Sequence, residues 1–409
     1  MRRIPAGSTL IIVKMPNHAG QIGPSRQQPA GASISKSEVR QGIGLVLASL
    51  ALALLLIEIP ASINLVDYGR ILGVNRDLLP RDRIADPELI HISRPRSHIA
   101  GSAQGGSALL YYRIEKSDLT LFQWDVTRDG NGFRNAADLK SAAIAVIGDS
   151  FVEGMTVPYE KTITSVLARL QGKVVANLGQ SGYGPQQELI VLKRYGVPLR
   201  PRTVVWMFYE GNDLSDVVQY DRYMRRHPGW WSQFWGRSFT LSFLRRVQRF
   251  TMPPGTRASG TVRGPGGQTS TTYFFDRLSA FSATRLSAEN LKALDETRNT
   301  LAEAHAICAA QGCRLAVVFI PTGFRALQPV CQFPRESICR NWVLNDLPER
   351  FRKSVESISP EIGYIDLTPR FTAAARNGAA PYYRDDDHWT EQGHAIAAEA
   401  VSDYLLSLR

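Results

Sequence analysis

From about residue 142 onward, short apolar runs alternate with stretches of helical spacing. The runs at 143–147, 174–177, 203–208, 314–320 and 364–366 are brief, partly β-branched and bounded by polar residues, as buried strands are. Residues 163–170, 186–194, 287–310, 344–357 and 391–408 instead repeat their apolar positions every three or four residues, as amphipathic helices do. Strands that alternate with helices are joined by right-handed crossovers, so the pattern predicts a parallel sheet covered on both faces. The predicted fold class is a three-layer α/β/α, doubly wound domain whose ligands sit beyond the carboxyl ends of the strands. No internal repeat is visible.

One apolar run breaks this rhythm by its length. Residues 41–57 carry no charge and are closed by Glu58 and Pro60. As a helix at about 1.5 Å per residue this run spans roughly 26 Å, enough for the hydrocarbon core if Arg40 and Glu58 sit at the interfaces. Ahead of it lie Arg2, Arg3, Lys14, Arg26, Lys36 and Arg40 against the single acid Glu38. That bias predicts a tail in the cytoplasm and everything after about residue 60 outside, periplasmic or extracellular. Such a long leader and the bulky Ile59-Pro60-Ala61 do not suit an ordinary cleaved signal peptide. The expected organisation is a disordered basic tail over 1–40, a transmembrane anchor over 41–60, a linker over 61–141 and the main domain over 142–409. The linker lacks a sustained period and is expected to pack on the main domain through 121–135, where Asp129-Gly130-Asn131-Gly132 marks a turn.

An apolar content of 44% and a charged content of 21% in 409 residues describe a globular chain, not a disordered one. The net charge of +11 is uneven. Besides the tail, an insertion over 221–282 holds nine arginines and no acid between Arg222 and Phe275, interleaved with Trp230, Trp231, Phe234, Trp235, Phe243 and Phe250. A Pro/Gly/Ser/Thr-rich stretch, 253–272, follows and reads as flexible. The insertion suits a helical hairpin with solvated arginines, a surface for anionic headgroups, or a lid or sugar platform. Because the basic residues divide between a tail and an exported insertion, nucleic acid is not an expected partner. Cys308, Cys313, Cys331 and Cys339 fit an exported domain; of three possible connectivities, short loops favour Cys308 with Cys313 and Cys331 with Cys339.

Four short blocks carry chemistry. Gly148-Asp149-Ser150 closes the first predicted strand, placing a serine hydroxyl and its own amide at a tight turn. Asn177 to Pro185 brings three glycines after the next strand, and Gly182 offers a backbone N–H where a ligand can approach closely. Phe208 to Asp213 ends a third strand with Asn212, whose amide can donate without ionising. Asp385-Asp386-Asp387-His388 supplies a histidine base with carboxylates to fix its tautomer. Read singly these are a helix cap, a phosphate loop, an ordinary turn and a cation site. No dinucleotide or P-loop pattern is present, and one adjacent histidine is a poor metal set.

In order and context the blocks resemble the SGNH branch of the GDSL hydrolases over about 142–409. The resemblance implies Ser150 as nucleophile, Asp385 and His388 as its triad partners, and an oxyanion hole from Ser150, Gly182 and Asn212. Asp386 is the alternative orienter, since membrane-linked members resembling alginate O-acetyltransferases use Asp-x-His. The third block departs from Gly-x-Asn-Asp by placing Gly211 one position late. The implied activity is an exported, membrane-anchored serine esterase acting on acyl esters, of a cell-surface glycan above all, without metal or organic cofactor. An O-acyltransferase drawing on a multi-span acyl-supplying membrane partner is the alternative within the class; a non-catalytic glycan-binding or assembly subunit is the alternative outside it.

Overall fold

The computed structural model describes residues 35–63, 65–72, 82–226, 237–274 and 278–408. Two units separate, Met1–Ile57 and Glu58–Arg409. What is described of the first is helix α1, Lys36–Ser62, which runs on into the second; its apolar side chains are exposed, and it is long and apolar enough to cross a membrane. Residues 1–34 of the expected tail lie outside the described residues.

The stretch expected to be a linker is not without elements. Strands β1 (Arg83–Asp86) and β2 (Ile90–Ser93) form one antiparallel hairpin. Strands β3 (His98–Gln104) and β4 (Leu121–Thr127) pair antiparallel across an intervening loop. In β4 the residues Phe122, Trp124 and Val126 turn to one face, an alternation visible in the sequence but short enough to escape a search for long periods.

The main domain follows as β5 (Ile144–Gly148), α2 (Ser150–Glu153), α3 (Ile163–Gln171), β6 (Val175–Gly179), α4 (Pro185–Val191), β7 (Thr203–Tyr209) and α5 (Asp213–Arg226). The inserted elements are α6 (Phe239–Phe250) and the antiparallel pair β8 (Ser259–Arg263) and β9 (Thr269–Tyr273). The chain closes with α7 (Ala288–Ala310), β10 (Arg314–Ile320), α8 (Leu347–Glu356), β11 (Gly363–Asp366), α9 (Thr368–Arg376) and α10 (Glu391–Ser407). Helix starts are set by local chemistry. Thr162 accepts from Ser165 N, Thr390 accepts from Gly393 N, and Ser287 with Asn290 forms a reciprocal capping box.

Five strands form the central sheet in the order β11-β10-β7-β5-β6, all parallel. This is the predicted doubly wound α/β architecture. Alternate strand residues feed two apolar clusters, one per face. Ile147, Trp206, Phe208 and Phe319 belong to one; Val146, Val205, Met207 and Val318 belong to the other. The chain order reverses between β5 and its two neighbours, so the crevice between β5 and β7 is the place where such folds hold ligands.

Part of the insertion departs from expectation. The stretch read as flexible contains the β8–β9 pair, with Thr261 also bridged to Gln332. Trp230, Trp231, Phe234 and Trp235 lie outside the described residues. Cys308, Cys313 and Cys331 are free thiols rather than members of the expected disulfides, with Cys308 and Cys313 hydrogen-bonded side chain to side chain.

Candidate active site

Strand β5 delivers Ser150 to the carboxyl edge of the sheet. Asp149 Oδ1 accepts from Phe151 N at 2.9 Å, capping α2 so that Ser150 starts it. The helix stops after one turn because Gly154 turns left-handed, at φ +64°, a conformation other residues adopt at a cost. Ser150 Oγ lies 2.8 Å from His388 Nε2. His388 Nδ1 bonds Asp386 Oδ1, which also accepts from His388 N at 3.0 Å. Asp386 Oδ2 accepts from Ser107 N and Ser107 Oγ, each at 2.8 Å. In the neutral ring, Nδ1–H donates to Asp386, and Nε2 is left to accept the serine proton.

The expectation for Asp385 is corrected by this geometry. Asp385 is fully buried, and its carboxylate accepts from Gly106 N at 3.0 Å, Thr120 N at 3.1 Å and Thr120 Oγ1 at 2.5 Å. Asp386 orients His388 instead, because an aspartate reaches the amide two residues on, the ordinary Asx-turn geometry, and the ring of His388 follows its own backbone. Neighbouring carboxylates are thus divided between tasks. Asp385 ties the segments around Gly106 and Thr120 to the active-site loop, and Asp386 serves the histidine. Gly106 is required for this approach: a Cβ there would stand 2.4 Å from the Asp385 carbonyl oxygen.

Charge follows from these contacts. Burial disfavours the charged form of both His388 and Asp386, but their mutual attraction and hydrogen bonds outweigh it. His388 is raised to about 9 and Asp386 lowered to about 2. About 34% of the His388 side chain is still exposed. Burial pushes Asp149 up to about 6 and, aided by the charge of Asp386, Asp387 up to about 7.

Gly182 and Asn212 occupy the loops after β6 and β7. Gly182 is exposed at φ +83°. The peptide that joins it to Ser181 is held from the other side, where Ser181 O accepts from Arg83 Nη2 at 2.9 Å and from His91 Nε2 at 3.3 Å. Because the peptide is trans, the Gly182 N–H points away from those two donors. Ser181 N donates to Glu153 Oε2 at 2.9 Å, and Glu153 is itself paired with Arg128 in a buried ion pair at 2.8 Å. Asn212 stands close enough to Asp149 to favour that carboxylate's charged form. Its loop is fixed by Asp213 Oδ2, which accepts from Tyr209 N at 2.9 Å, and by the buried Glu210–Arg325 pair, with Arg325 Nε donating at 2.7 Å. The displaced Gly211 therefore accompanies a Glu210 used for anchoring.

The structure brings Ser150 and His388 into contact and sets Asn212 beside the cap of the helix that Ser150 starts. The sequence reading missed the wall in front of them. A cavity of about 150 Å³ opens at Ser150 and His388, lined also by Phe151, Met155 and the β4 residues Phe122 and Trp124. It also missed Ser107, Arg83 and His91, which belong to the supposed linker and match no local pattern.

Residues 281–408 match a family model described as the SGNH hydrolase-like domain of the acetyltransferase AlgX. No curated protein matches the chain. Among solved structures it is similar to LAE5, an alpha/beta hydrolase enzyme from the metagenome of Lake Arreo, Spain, at 14% identity over 66% of this chain and 98% of that one, with a TM-score of 0.36. It is similar to a mutant of Axe2, an acetyl-xylooligosaccharide esterase from Geobacillus stearmophilus, at 14% identity over 64% and 94%, TM-score 0.34. A GDSL-like lipase from Bacteroides thetaiotaomicron VPI-5482 aligns at 13% identity over 65% and 88%, TM-score 0.33.

Proposed function

We propose that this chain, whose residues 281–408 match an SGNH hydrolase-like domain model, is an exported, membrane-anchored serine esterase that works through an acyl-Ser150 intermediate. The observation that carries this reading is the relay from Ser150 Oγ through His388 to Asp386 at the edge of an apolar cavity. His388 takes the serine proton as Oγ adds to an ester carbonyl, and the resulting imidazolium is held by Asp386. The amides of Ser150 and Gly182 and the Asn212 side chain stabilise the oxyanion, each at a value of about 3 kcal/mol of barrier. Collapse of the tetrahedral adduct breaks the ester C–O bond, and His388 returns its proton to the departing alkoxide. Water, activated by the same histidine, then releases the acid. No step calls on a metal or organic cofactor.

The substrate we propose is an acyl ester of a cell-surface glycan. An anchored domain with an arginine- and aromatic-rich insertion supports that reading. A second reading has the acyl group passed to a sugar hydroxyl, and the acetyltransferase description of the matching family model favours it. In that case a multi-span membrane partner supplies acyl groups, which a single span cannot carry across. Hydrolysis of p-nitrophenyl acetate by the full chain, beside Ser150→Ala, tests the enzyme. Turnover lost in the variant supports it. Equal inactivity of both, with no fluorophosphonate labelling of Ser150, leaves the glycan-binding subunit. Adding a polysaccharide acceptor then separates the two enzymes, since a transferase yields acylated polymer where an esterase yields free acid.

A further inference from the structure

Helix α6 has features that the acyl chemistry does not use. Along Phe239-Thr-Leu-Ser-Phe-Leu-Arg-Arg-Val-Gln-Arg-Phe250, at 100° per residue, Phe243, Leu244 and Val247 fall within one arc of the helix surface. All three are exposed, by 49%, 56% and 42%, whereas Ser238 and Ser242 on the opposite side are fully buried. Arg245 and Arg246 lie off the apolar arc and are exposed, with stems long enough to carry their charge past an apolar surface. No acidic residue lies between Arg222 and Phe275 along the sequence.

Glu58 is the first charged residue after the apolar run of 41–57. Its carboxylate accepts from Ser238 Oγ at 2.9 Å, Phe239 N at 3.0 Å and Thr240 N at 2.7 Å, satisfying the free amides of the first turn of α6. The Tyr68 ring stands edge-on to Phe239 at 5.4 Å, and Arg246 Nη1 donates to Leu72 O at 3.0 Å. The helix is therefore fixed, at its start and along its length, to the residues where the chain leaves its apolar span.

We propose that α6 is an interfacial helix, lying in the headgroup layer of the bilayer that α1 crosses. Phe243, Leu244 and Val247 enter the acyl boundary, and Arg245 and Arg246 reach anionic lipid phosphates. This rests on the membrane-anchor part of the proposed function and is independent of the acyl chemistry. The occupant is a lipid surface rather than a protein groove because the apolar arc begins one turn from a residue that must itself sit at the interface.

The test is hydrogen exchange of residues 239–250 in the full chain, reconstituted in nanodiscs of phosphatidylcholine with and without phosphatidylglycerol. Exchange there is expected to be roughly tenfold slower in the wild type than in Leu244→Asp/Val247→Asp. The difference is expected to widen with the anionic lipid, and Arg245→Glu to remove that widening. Unchanged p-nitrophenyl acetate turnover in the variants shows that they fold. Equal exchange in wild type and double variant in both lipids overturns the proposal. Protection that appears only in native membranes also overturns it and assigns the face to a protein partner. Failure of the full chain to float with lipid vesicles sinks the anchor reading itself, a result distinct from either.

Discussion

Two groups of buried carboxylates in this domain differ in their partners far more than in their burial. Asp386 is 6% exposed, and its pKa is driven down to about 2, because His388 and three hydrogen-bond donors meet its two oxygens. Glu188 and Asp213 are fully buried, and their pKa values are raised well above the ordinary range, by burial first and by neighbouring acids second. Burial alone pushes every carboxyl towards the neutral acid. Where the fold supplies a cation and donors, a buried acid is held in its charged form, as Asp386 is by His388 and Glu153 by Arg128.

The largest effect expected from breaking this contrast is at Ser150, the proposed nucleophile, and its relay. Ser150→Ala should lower kcat by at least about 10⁴-fold. Asp386→Asn, which keeps the shape but removes the charge, should cost about 10⁴-fold by leaving His388 in the wrong tautomer. Asp385→Asn separates the two neighbours. It turns an amide towards donors and should lower stability by about 1–3 kcal/mol while retaining most of the turnover per folded molecule. Steady-state kinetics beside thermal melts read both outcomes; a reversal of the two phenotypes would restore Asp385 as orienter.

The pH dependence sharpens the same comparison. A base must be neutral, so kcat/KM should climb with pH until His388 loses its proton near 9. Its raised pKa also stabilises the fold below the unfolded value of about 6.5, a contribution that is lost as pH rises through about 9. For Glu188 the native state holds a proton that the unfolded chain releases, so stability falls as pH rises above the ordinary glutamate range. Glu188→Gln should remove that loss, giving a variant whose advantage in denaturant midpoint grows with pH at unchanged kcat. The smallest effect is expected of Arg83→Ala, which frees the Ser181 carbonyl but leaves the Gly182 N–H in place. Its loss in kcat should fall well short of the roughly 100-fold that removing one oxyanion donor costs.

What was legible in the sequence follows from the length of each signal. The five parallel strands and the helices α3, α4, α7, α8 and α10 were read to within a few residues, because periodicity and caps extend over whole elements, whereas α5 and α9 were not read. Ser150 and His388 were legible because each closes or opens such an element. The choice between Asp385 and Asp386 was not, since it depends on which carboxylate a tight turn aims at the ring. The hairpins before residue 142 escaped because their strands mix polar and apolar residues and lie half exposed, without the continuous apolar runs of the buried parallel strands, and with them went Trp124, Ser107 and Arg83. Their roles come from contacts across about a hundred residues or more, such as Arg83 with Ser181 and Ser107 with Asp386.

The most direct test of the relay is to trap its product. The full chain mixed with p-nitrophenyl acetate, acid-quenched during the burst and peptide-mapped by mass spectrometry, should carry a single acetyl group on Ser150, absent from Ser150→Ala and much slower to form in Asp386→Asn. An acetyl group found on another residue, or turnover that persists in Ser150→Ala, would contradict the account.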